Sequence, residues 1–287
     1  MQAELILNAK ATLGEGPAWD SKTQTLYWVD ILEKRIYAGT QILAQLDDVI
    51  GCLAPRKNGH LILSLSGAEG RLGFADLEPD TAQLTVLTTL DEIQTNRVND
   101  GKCDPAGRFL AGTMDMNEKD PNGALYSFDG KQVTRLLDGI TISNGLAWSV
   151  DHKNFYYIDT PTRAVKAFDY DLATGQIENP RVAVYIPESL GWPDGMTSDT
   201  DDNLWIAIWG GAQMTKWNPR TGKLLEQIPV PALHTSSCVF GGKDMNELYV
   251  TSARVGMSEA DLKKYPLSGG LFKVITNVGG MPTFEFG

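Results

Sequence analysis

The sequence predicts an all-β protein, a six-bladed β-propeller whose ring is closed by the N-terminal strand. Three observations predict it. Six short apolar runs recur at a nearly even interval, a turn-forming segment precedes each, and the sixth repeat lacks a strand while the N-terminus has one to spare. The runs are Leu26-Tyr27-Trp28, Leu61-Ile62-Leu63, Phe109-Leu110-Ala111, Phe155-Tyr156-Tyr157, Leu204-Trp205-Ile206 and Leu248-Tyr249-Val250, and their first residues lie 35, 48, 46, 49 and 44 positions apart. A period of about 45 residues, built from aromatic and β-branched runs, matches radial four-stranded blades better than helical solenoids.

Taken in order, the turns are DSKTQT, RKNGH, DPAGR, SVDHKN, SDTDDN and GGKDMNE. Most runs are followed by a second strand such as Ala124 to Phe128 or Val165 to Phe168, giving the strand and turn alternation of a blade. Only Met257 to Lys264 reads as a short helix. The sixth repeat supplies Leu248 to Thr251, Gly270 to Ile275 and Thr283 to Phe286, so Glu4 to Asn8 is expected to complete it and to remove an exposed sheet edge. A β-sandwich and an open repeat array are the competing architectures.

A chain of 287 residues, 42% hydrophobic, can bury a full core without staples, and no low-complexity or charged linker divides it, so residues 1–287 read as one domain. The 25 basic against 36 acidic residues give a net charge of −11 spread along the chain, which argues against nucleic acid and anionic membranes as partners. MQAELILNAK has neither the basic nor the apolar segment of a signal peptide, and no stretch is long and apolar enough for a membrane span; a soluble, cytoplasmic protein is expected. Cys52, Cys103 and Cys238 are odd in number and widely spaced, as reduced core thiols would be.

In a propeller, equivalent positions of the blades converge on the central channel. About ten residues before each run the sequence reads Gly14-Glu15-Gly16-Pro17, Gly51-Cys52-Leu53-Ala54, Val98-Asn99-Asp100-Gly101, Ser143-Asn144-Gly145-Leu146, Pro193-Asp194-Gly195-Met196 and Ser236-Ser237-Cys238-Val239, in what is expected to be the loop entering the innermost strand. Four of the six place Glu, Asn or Asp beside glycine. Each alone could be an ordinary turn residue, but a shared phase across blades is not required of turns. Carboxylate and amide oxygens converging without His or Cys suit a hard divalent cation such as Ca²⁺, Mg²⁺ or Mn²⁺.

The segments LGEGPAWD, NRVNDGKCDPAGRFLAGTM, ISNGLAWS, WPDGMTSD and SSCVFGGKDMNELYVTSAR resemble, in order and spacing, the SMP-30/gluconolactonase family, which includes regucalcin and sugar-acid lactonases. The resemblance covers nearly the whole chain. It implies a six-bladed propeller with one divalent metal (Ca, Mg, Mn, Zn or Fe) held by Glu15, Asn144 and Asp194, and substrate contacts from Arg97 and Asn99. A further family acid shortly after GTM falls at Asn117, with Glu118 adjacent.

The expected substrate is a small sugar lactone. Its hydrolysis passes through an anionic tetrahedral intermediate that a divalent cation can stabilise, and Asp194 is the candidate base, with metal-bound hydroxide as the competing choice. Arg97 and Asn99 can orient hydroxyls, while Trp192 and Trp209 could wall a sugar ring or belong to the core. Of the three histidines, His60 and His152 fall in turns and only His234 could approach the channel; no GxSxG, Walker A or GxGxxG segment is present. A non-catalytic metal-binding or interaction propeller and a metal-dependent phosphotriesterase or esterase are the alternative functions. A monomer or weak homo-oligomer is expected.

Overall fold

The computed structural model describes residues 1–67, 72–93 and 95–287. Strand β1 is Ala3–Leu7. The first blade comprises β2 (Gly14–Asp20), β3 (Thr25–Asp30), β4 (Arg35–Ala38) and β5 (Gln41–Gln45), and the second β6 (Leu53–Pro55), β7 (Leu61–Ser66), β8 (Leu72–Glu78) and β9 (Gln83–Thr89). The third holds β10 (Asn96–Cys103), β11 (Phe109–Asp115), β12 (Gly123–Phe128) and β13 (Val133–Ile140). The fourth holds β14 (Ser143–Trp148), β15 (Asn154–Asp159), β16 (Ala164–Tyr170) and β17 (Ile177–Tyr185). The fifth holds β18 (Trp192–Ser198), β19 (Leu204–Trp209), β20 (Gln213–Asn218) and β21 (Lys223–Pro229). The sixth is β22 (His234–Gly241), β23 (Glu247–Ala253) and β24 (Leu271–Ile275), with β1 as its outermost strand.

Every blade is a four-stranded antiparallel meander, and the inner strands touch in the cycle β2, β6, β10, β14, β18, β22 and back to β2. The ring closes as the sequence predicts. Ala3 pairs with Val274, Glu4 with Lys273 and Leu5 with Phe272, so the N-terminal strand covers what would be the open edge of β24. The expected helix is present as α1 (Glu259–Lys264), with Ser258 and Asp261 forming a capping box.

Two expectations are corrected. The apolar runs are not the innermost strands but the second ones, β3, β7, β11, β15, β19 and β23. A second strand is buried on both faces between neighbouring blades and reads as continuous apolar sequence, whereas an inner strand faces a polar channel and carries the glycines and polar residues. Thr283 to Phe286 is not a blade strand either, because β22 already supplies the fourth strand. Residues 279–287 instead cross the far end of the ring, making contact with all six blades.

Burial falls from axis to rim. Residues of β11 and β19 are almost wholly buried, while β9, β17 and β21 are mostly exposed. Edge-to-face contacts of Phe74 with Phe109 (5.3 Å) and of Trp205 with Phe240 (5.6 Å) join adjacent blades.

Candidate functional site

All inner strands begin at the same mouth of the channel, and five of the six break register just there. The shifts fall between Glu15 and Ala18, Val98 and Gly101, Asn144 and Leu146, Pro193 and Met196, and Thr235 and Cys238. A bulge re-aims a side chain out of the pleat. The motif residues therefore sit in the inner strands themselves rather than in loops entering them. Glycine follows because the axis is crowded: a Cβ on Gly195 would lie 2.1 Å from Ser237 Oγ, and one on Gly145, at φ +25°, would lie 2.5 Å from Ile158 Cδ1.

Glu15, Asn144 and Asp194 come from β2, β14 and β18, and all three are buried together with Asn99 and Asp100. A directed chain of hydrogen bonds orients the amides. Arg97 Nη1 donates to Asn99 Oδ1 (2.6 Å), and Asn99 Nδ2 donates to Asn144 Oδ1 (2.9 Å) and to the Ser143 carbonyl (2.8 Å). Asn144 Nδ2 donates to Thr160 Oγ1 (2.8 Å), whose own proton goes to the Pro193 carbonyl (2.9 Å) beside Asp194. The last carbonyl can only accept, so the whole chain has one polarity and the Asn144 oxygen is fixed toward Asn99.

The carboxylates are loaded with charge. Burial, then the nearby Asp100 carboxylate, pushes Glu15 up to about 8, against the opposing Gly16 N–H and the Arg97 cation. Asp194 is raised well above the ordinary carboxylate value, by burial first and then by Glu15 and Asp100. Burial raises Asp100 as well, opposed by Lys102. Neither Glu15 nor Asp194 has a bonded basic partner among the described residues. Crowded, buried carboxylates of this kind favour a bound cation. No three His, Cys, Asp or Glu side chains among the described residues form a cage, so the fitting donor set is two carboxylates and the Asn144 amide oxygen, an all-oxygen set that leaves coordination positions of a divalent cation unfilled.

Arg97 is half-buried at the mouth. Burial depresses its guanidinium, while Glu15, Glu118 and Asp194 hold it up. Glu118 thus lies within electrostatic reach of Arg97. Asn117 is exposed and turned back toward Asp115 (3.4 Å). Trp192 is exposed beneath the Arg163 guanidinium at 3.6 Å, and Trp209 stacks on His234 at 4.2 Å. His60 bonds Asp76 and His152 packs edge-on against Phe284, both at turns remote from this mouth. All three cysteines are free and buried, with burial pushing Cys238 up to about 12.

Sequence reasoning missed Asp100 and Thr160 as members of this cluster. Asp100 was visible in principle, since it precedes a glycine as Glu15, Asn144 and Asp194 do. Thr160, in the turn after β15, carries no such signal.

A family model described as the SMP-30/Gluconolactonase/LRE-like region matches residues 13–254. Regucalcin of Danio rerio is 38% identical over 296 residues, covering 100% of this chain and 98% of its own length. Among solved structures, a calcium-binding protein, regucalcin, from Agrobacterium tumefaciens superposes with a TM-score of 0.92 at 25% identity, over 99% of this chain and 96% of that one. A gluconolactonase from Xanthomonas campestris shares the fold with a TM-score of 0.75 at 21% identity, over 97% and 89% of the two chains. With the fold, the glycine-flanked acids and these matches in agreement, the chain belongs to the SMP-30/gluconolactonase/LRE-like family.

Proposed function

We propose that this protein is a divalent-metal-dependent hydrolase that opens sugar (aldono)lactones to aldonic acids, a lactonase of the carboxylic-ester hydrolase class. The observation that carries the reading is the pair of buried, mutually charge-coupled carboxylates, Glu15 and Asp194, within electrostatic reach of the Arg97 guanidinium. A bound divalent cation would supply Lewis-acid stabilisation of the developing oxyanion. Glu15, Asn144 and Asp194 would hold it.

Asp194 takes the proton of the attacking water. As the carbonyl C–O ring bond breaks, it returns that proton to the departing ring oxygen. Asp194 would be kept ionised by a cation held beside it, and so able to accept that proton. Arg97 and Asn99 orient the lactone through hydroxyl or ring oxygens, and Glu118 extends this polar rim. Thr160 positions Asn144 without touching substrate. The free, buried thiols support a cytoplasmic setting.

Two substitutions separate ligand from base. Asp194→Asn keeps an amide oxygen but loses the basic one, so turnover should fall about 10²-fold or more even at saturating metal. Glu15→Gln should lose metal affinity and regain much of its rate when metal is raised. Assays on gluconolactone, xylonolactone, arabinonolactone and galactonolactone provide the readout. Full rescue of Asp194→Asn by metal would make Asp194 a ligand only. Metal binding without turnover of any lactone would favour instead a calcium-binding role, the description carried by the Agrobacterium relative.

A further inference from the structure

The strand ends beneath the segment 115–122 hold oxygens that the lactonase reading does not use. Asn96 begins β10 and Asp115 ends β11, and the two are direct cross-strand partners. The Asn96 side chain is 2% exposed and reaches the other end of the same segment, where its Nδ2 donates to the Asn122 carbonyl at 3.2 Å. That carbonyl cannot donate, so the amide is fixed and Asn96 Oδ1 is the group left over. It is fully buried and has no hydrogen-bond partner, and Asn122 Oδ1 is in the same position. A buried amide oxygen without a partner has lost its hydration with nothing in exchange. The Nδ2–carbonyl bond makes Asn96 and Asn122 neighbours, and each leaves a buried oxygen that calls for an electropositive partner.

Asp115 adds a negative charge at this place. It is 2% exposed and no ion pair reaches it among the described residues. Against the desolvation of burial, the N–H groups of Lys119, Asn117 and Asp120 hold its carboxyl below the ordinary value, so it is ionised. The intervening sequence, Asp115-Met-Asn117-Glu-Lys-Asp120-Pro-Asn122, places further oxygen donors at the rim.

We propose that Asn96 Oδ1, the Asp115 carboxylate and Asn122 Oδ1 form a second divalent-cation site, of the calcium class, that pins the 115–122 segment to the ends of β10 and β11. Mixed amide and carboxylate oxygens with water filling the remaining positions suit the variable coordination of Ca²⁺ rather than the strict octahedron of Mg²⁺. With one carboxylate, the site belongs to the weak class, with Kd on the order of 10⁻⁴ to 10⁻³ M. It shares no ligand with the channel set of Glu15, Asn144 and Asp194 and does not rest on the lactonase reading, although the segment it pins carries Glu118.

The test is Ca²⁺ alone added to the full-length protein in a Glu15→Gln/Asp194→Asn background, which removes both carboxylates assigned to the channel. The expected result is one remaining equivalent of Ca²⁺ by calorimetry. Amide exchange of residues 115–122 should slow on binding. Asp115→Asn should abolish both effects. Asn122→Ala, a milder change at the segment's end, should weaken binding about tenfold and keeps the test valid should Asp115→Asn disturb folding. Absence of Ca²⁺-dependent protection up to about 10 mM would overturn the proposal, leaving the two amide oxygens to water. So would residual binding that neither substitution alters.

Discussion

Glu15 is a carboxyl whose folded environment works against its charge, and the consequence is a pH dependence of unusual sign. Its proton affinity is raised from 4.5 to about 8, and that of Asp194 is raised as well. Between those values the native protein binds protons that the unfolded chain has released. Unfolded-state proton binding is then the smaller, and stability falls as pH rises through the window. Metal-stripped protein should therefore melt at progressively lower temperature from about pH 5 to 8, and metal, by binding the ionised forms, should flatten the profile. Parallel melting curves with chelator and with added metal make the comparison. Identical slopes would show that no cation meets these two groups. The three residues assigned to the ion were legible in sequence because each precedes a glycine at the same phase of its repeat. Thr160 was not legible, because its contact with Asn144 exists only once β15 has turned back toward β18.

At the scale of the element, the third and fifth blades are each stapled by an acid at the turn between the first and second strands. Asp104, fully buried, accepts from Arg108 at 2.6 Å and from Tyr170 at 2.7 Å, linking the third blade to the fourth. Asp199, also fully buried, joins Lys216 (2.9 Å) and Trp205 Nε1 (2.9 Å) within the fifth. Removing one member of such a pair leaves the other buried and uncompensated, at about 3–5 kcal/mol. Asp199→Ala should therefore lower Tm by roughly 10 °C while leaving metal affinity unchanged; a smaller shift would mean that Lys216 finds water. The apolar runs revealed six strands of this framework and their spacing. They also misplaced the axis by one strand, because bulges and glycines erase the period-two alternation of inner strands such as β10 and β18. Thr283 to Phe286 looked like a strand for a related reason: its alternation reflects Phe284 against Trp148 and Phe286 against Phe128, not pairing within a sheet.

The whole molecule is closed twice. β1 closes the ring, and residues 279–287 cross its far end, bonding Thr200, Met245, Trp19, Pro55, Lys57 and Gly107 in turn. Beneath this strap a cavity of about 20 Å³, room for about one water, lies against Lys102. The two closures should fail differently. Deleting residues 1–9 bares the edge of β24, so aggregation should accompany a large loss of thermal stability. Deleting residues 280–287 bares no strand edge and should lower Tm without aggregation. Light scattering recorded during melting separates the two, and equal aggregation would show that the strap, too, protects an edge.

Ring closure also fixes an order in time. β1 is made before the other strands, yet its partner β24 begins only at Leu271. At ordinary rates of synthesis the first strand waits on the order of 10–50 s for the last. Five blades can fold while the chain is still being made. The sixth cannot, and throughout that interval Leu5 and its neighbours remain a loose strand in search of an edge. The pairing that makes the finished molecule safe from association is the one whose absence leaves it most exposed while it is being made.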